Sequence, residues 1–263
     1  MNISLVDKIA LVTGGSRGIG QAAAMAFSQQ GAKVAIVARN PADLKSTASE
    51  IFSLTGNEVL QIQSDVRDPM SAQRCVSKVV DEWGAVDILV NNSGGPPPKG
   101  FLEASSDDWE NALQLNLLSC IRFTTAVAPL MMERKWGRII TVGSTLMKEP
   151  SAQMVLSAAA RAGSVAFLKA VSLELAPHGV TVNSIATGGV ETQRLYSLFK
   201  TIADKEGKDV HEAIESAASG IPVGRFASPE EFVQIMVFLA SEASSYVTGT
   251  CVAVDGGLSK GAF

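Results

Sequence analysis

The sequence is sparing with the residues on which several kinds of function depend. It holds three cysteines, Cys75, Cys120 and Cys251, widely separated and odd in number, which fits neither a disulfide framework nor a zinc-ligand cluster. They read as reduced core residues. Its two histidines, His178 and His211, stand far from any cysteine or acidic cluster, so no metal site is expected. Lysine and arginine total 22 against 26 for aspartate and glutamate, a formal net charge of -4 with both signs spread along the chain. That balance excludes the basic stripe of a nucleic-acid binder and the polybasic patch of a membrane-surface protein. No apolar stretch reads as long enough to span a bilayer, and the N-terminus runs into the first strand without the charged region and apolar core of a signal peptide. The expectation is a cytoplasmic protein that works on small molecules. No repeat, low-complexity segment or interdomain linker is visible.

What the chain has in abundance is apolar residue, 46% of 263 positions, enough to bury a large core as a single domain over 1–263. Its organising stretch is Thr13-Gly14-Gly15-Ser16-Arg17-Gly18-Ile19-Gly20. It follows the apolar run 8–13 and opens an alanine-rich helical pattern from Gln21, which reads as strand, glycine turn and helix start. Glycines at 14, 18 and 20 let the backbone approach a ligand, and the free N–H groups and dipole of the helix start favour a pyrophosphate.

Further short apolar runs alternate with helical patterns. Strands are expected at 33–38, 58–63, 86–90, 138–142, 180–185 and 250–254, and helices from Pro41 and over 69–83, 107–134, 157–176 and 229–241. Such alternation implies right-handed βαβ crossovers, a parallel sheet, and a ligand at the carboxyl ends of the strands. Strand two ends in Ala38-Arg39 with no acid to grip a ribose 2′-hydroxyl; with Arg17 in the glycine loop this favours NADP(H) over NAD(H), the alternative being that both arginines are ordinary surface charges. Ser64-Asp65-Val66 lies past a strand end where adenine would sit, and Asn91 ends the fourth strand. Asn116 is a lone amide in an apolar helical stripe, which must find partners, order a water or bend the helix. The segment 189–220, polar, weakly periodic and bounded by glycines, reads as a mobile lid.

With these residues in place the sequence resembles the short-chain dehydrogenase/reductase family over nearly its whole length. The loop from Thr13 to Gly20 resembles the family's cofactor loop, and Asn91-Asn92-Ser93-Gly94 its Asn-Asn-Ala-Gly segment. Asp65, Asn116 and Ser144 fall where the family has its adenine-binding aspartate, helix asparagine and catalytic serine. Thr192 falls where it has the threonine that contacts the nicotinamide carboxamide. The segments Leu173 to Gly179, Val182-Asn183, Thr248-Gly249 and Val254 to Gly257 are further landmarks. Within the family the chain is similar to 3-oxoacyl carrier-protein reductases and related bacterial ketoreductases. The resemblance implies a seven-stranded Rossmann fold, hydride transfer between nicotinamide and a carbonyl or hydroxyl substrate, and a homotetramer or homodimer. It implies cofactor contacts at Gly14, Ser16, Arg17, Gly18, Ile19, Gly20, Arg39, Asp65, Val66, Asn91, Gly94, Arg161 and Thr192.

The resemblance breaks at the family's Tyr-x-x-x-Lys element, which falls on Ser157-Ala158-Ala159-Ala160-Arg161. No tyrosine lies between Asn2 and Leu195. In the family reaction the tyrosine hydroxyl protonates the alkoxide while the lysine lowers its pKa and holds the nicotinamide ribose. An alkyl hydroxyl is far too weak an acid for that task, and arginine is ordinarily always protonated. Three readings follow. Ser144, Ser157 and Arg161, beside Asn116, polarise a carbonyl while water supplies the proton; or the chain binds NADP(H) without catalysis, as a regulatory or partner subunit; or Tyr196 or His211 swings in from the lid as the acid. In purely structural terms Ser157 to Gly163 is a tightly packed helix interface with Arg161 in an ion pair, Ser144 a turn cap and Asn116 a satisfied core amide. Loss of the titrating pair implies a flat pH dependence, and the planar fork of arginine favours an anionic substrate.

Arg17 and Arg39, with no carboxylate at residue 38, predict tighter binding of NADPH than of NADH. Fluorescence titration with both cofactors checks this: Arg39→Ala should narrow the gap, and equal affinities in the wild type would refute it.

Overall fold

The computed structural model describes residues 3–261. Seven strands, β1 (Ile9–Thr13), β2 (Lys33–Ala38), β3 (Val59–Gln63), β4 (Ile88–Asn91), β5 (Gly137–Val142), β6 (Val180–Thr187) and β7 (Cys251–Val254), form one parallel sheet in the order β3-β2-β1-β4-β5-β6-β7. Continuous apolar runs make such strands because helices cover both faces and successive side chains point to opposite layers. Val12, Ile36 and Val90 pack with Phe27 of α1 (Gly18–Gln29) and with Phe232 and Met236 of α9 (Pro229–Ala240). Leu11, Leu89 and Ile139 pack on the other side with Val79 of α3 (Ser71–Trp83), Phe123 and Val127 of α5 (Ser119–Arg134), and Leu168 of α6 (Val155–Leu175). Each of these large side chains contributes about 1.5 to 3 kcal/mol by leaving water.

Helix starts follow local chemistry. Asn40 caps α2 (Pro41–Thr55), its Oδ1 accepting from the Ala42 amide at 3.0 Å with proline in the first turn. Ser228 and Glu231 cap α9 reciprocally. The chain leaves β1 toward β2 on one side, and β4 pairs on the other. The sheet order reverses there, which opens a crevice beyond the carboxyl ends of these strands.

Four expectations need correction. The first helix begins at Gly18, within the glycine loop, because the turn itself supplies its first residues. The span 107–134 is three pieces, α4 (Ser106–Ala112), a π-helical segment Leu113–Leu118, and α5. The lid holds two helices, α7 (Gln193–Glu206) and α8 (Val210–Ser219); the apolar positions Leu195, Leu198, Phe199, Ile202 and Ala203 have helical spacing and turn partly or wholly inward. Finally, Ser106–Arg134 and Val155–His178 are long and apolar enough to cross a membrane by length and composition. Part of each is packed into the core, as Phe123, Val127, Met131 and Leu168 are.

A Cβ at Gly20 would lie 2.1 Å from the Gly14 carbonyl oxygen and 2.6 Å from Asn92 Nδ2. Gly20→Ala should therefore force β1 and α1 apart, costing roughly 1 to 3 kcal/mol. A melting temperature several degrees lower, with weakened NADPH binding, is the expected result; an unchanged melting curve would refute the close approach.

Candidate active site

Gly14 and Gly18 both have positive φ, +58° and +53°, conformations in which a side chain would be strained. The turn they build is held from the side by β4. Asn92 Nδ2 donates to the carbonyls of Thr13 and Gly14 at 3.3 and 3.2 Å, and Thr13 Oγ1 accepts from the Asn92 amide and donates to the Asn92 carbonyl, both at 2.9 Å. Asn91, one residue earlier, turns the other way and donates to Thr124 and Thr141 at 3.2 and 3.3 Å. Strand alternation gives the bracing role to Asn92, which sequence reasoning did not single out; the available signal was the doubled asparagine at a strand end.

The remaining cofactor-loop residues take distinct places. Ser16 is buried, and its carbonyl accepts from Thr47 Oγ1 at 3.0 Å; Ile19 packs against the core. Arg17 is exposed and ion-paired with Asp43, whereas Arg39 is exposed and engaged only through its carbonyl, which accepts from Gln63 at 3.1 Å. The two arginines are thus not equivalent: Arg17 must leave Asp43 to meet a phosphate. Asp65 is ion-paired with Arg67 at 2.7 Å, which holds its carboxyl below the usual range, and Val66 is half-buried beside it. Thr192 caps α7 by accepting from the Leu195 amide at 3.2 Å, and its methyl faces Gly18, where a Cβ would come within 3.1 Å. The segment that leads into α7 therefore starts directly above the glycine turn.

Beyond β4 and β5 lies a cleft lined by Thr13, Asn92, Ser93, Asn116, Gly143 and Arg161 among others. Asn116 sits in the π-helical segment, an irregularity that frees main-chain groups and recurs at functional sites. Its Nδ2 donates to Ser93 Oγ at 2.8 Å and to the Gly94 carbonyl at 2.9 Å, while its own carbonyl accepts from Ser164 Oγ at 3.1 Å. Its Oδ1 is buried and has no partner among the described residues. Asn116 is therefore only partly satisfied.

Arg161 is 9% exposed, and its Nη1 donates to the Val142 carbonyl at 2.9 Å. Its Nε is buried without a partner, and among the described residues it forms no ion pair. The interface ion pair of the structural reading is thus absent among the described residues. Burial first, and the like charge of Arg194 second, push its pKa down to about 10. Ser157 stands one turn earlier on the same face of α6, buried, with no hydrogen-bond partner for its hydroxyl among the described residues. Ser144 caps the turn after β5, accepting from the Leu146 amide at 3.3 Å, which leaves its own proton free to donate. Neither serine lines the cleft directly, although Gly143 does. Met147, which sequence reasoning did not single out, packs over Gly143 and lines it too. Tyr196 and His211 pack against each other on the lid, ring centroids 6.5 Å apart, and neither lines the cleft.

A glycine turn at the switch point of a doubly wound parallel sheet, with partly satisfied polar groups in the adjoining cleft, defines a dinucleotide-binding protein of the Rossmann class. Residues 14–259 match the family model described as enoyl-(acyl carrier protein) reductase. The 3-oxoacyl-(acyl-carrier-protein) reductase of Vibrio cholerae is 35% identical over 97% of this chain and 99% of its own length, and that of Chlamydia muridarum is 36% identical over 98% and 100%. Among solved structures, L-sorbose reductase from Gluconobacter frateurii complexed with NADPH and L-sorbose superposes with a TM-score of 0.94 at 31% identity, covering 99% of this chain and 100% of that one. A variant actinorhodin polyketide ketoreductase with NADPH gives 0.93 at 32%, covering 99% of each. The chain belongs to the short-chain dehydrogenase/reductase family.

Removing the Asn92 amide should leave the Thr13 and Gly14 carbonyls without their lateral donor, at a cost of roughly 1 to 2 kcal/mol. Asn92→Ala is expected to weaken NADPH binding about tenfold by fluorescence titration. Unaltered affinity would show that the turn holds its shape alone.

Proposed function

We propose that the chain is an NADP(H)-dependent carbonyl oxidoreductase whose active site works with a buried guanidinium in place of a titrating acid. The observation that carries this reading is Arg161: a cation without a counter-charge, anchored to the end of β5 and directed into the cleft beside the glycine turn. The residues fit a dinucleotide. A Cβ at Gly14 or Gly20 would fill the cradle, and the N-terminus of α1 points at the place of a diphosphate. When bound, the cofactor supplies the hydride.

The chain's own residues have the remaining tasks. Gly14, Ser16, Gly18, Ile19 and Gly20 present backbone to the cofactor, Asp65 and Val66 take the adenine side, and Arg39, with Arg17 after exchange from Asp43, takes the 2′-phosphate. Arg161 polarises the substrate oxygen and stabilises the charge that develops there, a contribution that needs no proton transfer. Ser144 and Ser157 offer hydroxyl donors on the same side, and water delivers the proton. Loss of the general acid slows the reaction about 10²- to 10⁴-fold relative to a site that keeps one. In assembly we infer a homodimer or homotetramer, in keeping with the 69% exposure of Leu173 on α6, and a cytoplasmic setting.

The second reading, an NADP(H)-binding protein without turnover, is favoured by the absence of any acid of near-neutral pKa from the cleft lining among the described residues. Monitoring NADPH oxidation over a panel of ketones, keto acids and acyl thioesters separates the two. Slow turnover is expected, with a rate flat from neutral pH upward and falling as the guanidinium loses its proton near pH 10. The sign follows from the cationic form being the active one. Ser157→Tyr combined with Arg161→Lys should raise turnover on simple ketones. Tight NADPH binding without any wild-type reduction, together with gain of activity in that double variant, would overturn the enzyme reading in favour of the binding one.

A further inference from the structure

Arg161 has five N–H donors, and one is matched by the Val142 carbonyl. A guanidinium buried to this degree without a carboxylate is costly unless an acceptor arrives from elsewhere. No aspartate or glutamate lines the cleft among the described residues. A second arginine stands against the loop that follows β4, whose Ser93 lines the cleft. Arg194, two residues after the lid begins its first helix at Thr192, reaches across to β4's following loop, where its Nη2 donates to the Pro96 carbonyl at 2.7 Å and lies where a Cβ on Gly95 would be 3.0 Å away. It too forms no ion pair among the described residues. Burial first, and then the like charge of Arg194, lowers the proton affinity of Arg161.

A buried guanidinium in a cleft whose described lining holds no acid, with a second guanidinium against the loop that borders it, is stabilised by an anion. We propose that Arg161, with donors beyond the one that polarises the carbonyl oxygen, and Arg194, at the start of α7, form a two-point clamp for a carboxylate or phosphoryl group next to that carbonyl, making the preferred substrate an anionic carbonyl compound. This rests on the oxidoreductase reading above and names its substrate class. Planar guanidinium forks bind such oxyanions in a bidentate manner that a lysine cannot reproduce. The cofactor's own diphosphate is served elsewhere, by the glycine turn and the start of α1 beneath β1 and β2, whereas Arg161 lies across the switch point at the end of β5. Because Arg194 rides on the lid, binding of the anion and closure of the lid are one event.

The test uses oxalate, and separately inorganic phosphate, as probe anions in isothermal titration against the free protein and against protein saturated with NADP⁺. Oxalate should bind the NADP⁺-saturated protein, and Arg194→Ala and Arg161→Lys should each weaken it by about tenfold or more, while Arg194→Ala keeps its NADP⁺ affinity. Should Arg161→Lys fail to fold, the lid variant carries the test, since Arg194 is solvent-exposed. Three results would overturn the clamp: no anion binding in either state, anion binding indifferent to both substitutions, or anion binding abolished by NADP⁺, which would assign the arginines to the cofactor's diphosphate. If NADP⁺ itself does not bind but oxalate still does, in an Arg194-dependent manner, the clamp stands and the oxidoreductase reading falls.

Discussion

The structure depends on one junction, where the end of β4 grips the turn that follows β1. Two strands that are neighbours in space and 77 residues apart in sequence, judged by the bond from Thr13 to Val90, are locked by a hydroxyl and an amide at their carboxyl ends. The lock fixes Gly14 in its left-handed conformation and lets α1 begin almost in contact with the strand it leaves. The crevice, the direction of the α1 dipole and the position of the lid start at Thr192 all follow from that geometry. A cradle of this kind needs main chain close to main chain, and only glycine at residue 20 allows it.

The second constraint is electrostatic. The guanidinium of Arg161 puts a buried positive charge in the cleft, with a planar shape and donors that point in fixed directions. The surrounding polar groups answer only part of it. Val142 takes one donor, Asn116 turns its amide toward Ser93 and Gly94, and the π-helical segment lends a carbonyl to Ser164. The site is polarised without being neutralised, an arrangement suited to holding charge that arrives or develops within it.

Strand positions, the parallel sheet and the glycine turn were legible in the sequence because each rests on local pattern: short apolar runs, helical spacing and glycines at a strand end. Long-range partnerships were not. That Asn92 rather than Asn91 braces the turn depends on which way a strand-end side chain points, and that Arg17 is held by Asp43 depends on how α2 lies beside the loop. The helices within 189–220 were hidden because their apolar faces are narrow and interrupted by charge. Arg194 looked like any other charge on a polar segment until folding set it against Gly95.

The two helices apolar enough to be mistaken for membrane spans have a consequence for how the chain comes to be folded. Both follow strands whose partners are non-local, and a parallel sheet of this order forms its contacts late, after long loops have closed. Until β4, β5 and β6 are paired, the surfaces of α5 and α6 lack their full cover. The cover of α5 comes in part from α3 and β4, which precede it, whereas α6 must wait for β6, so the apolar face of α6 is the one exposed longest and most open to self-association during folding.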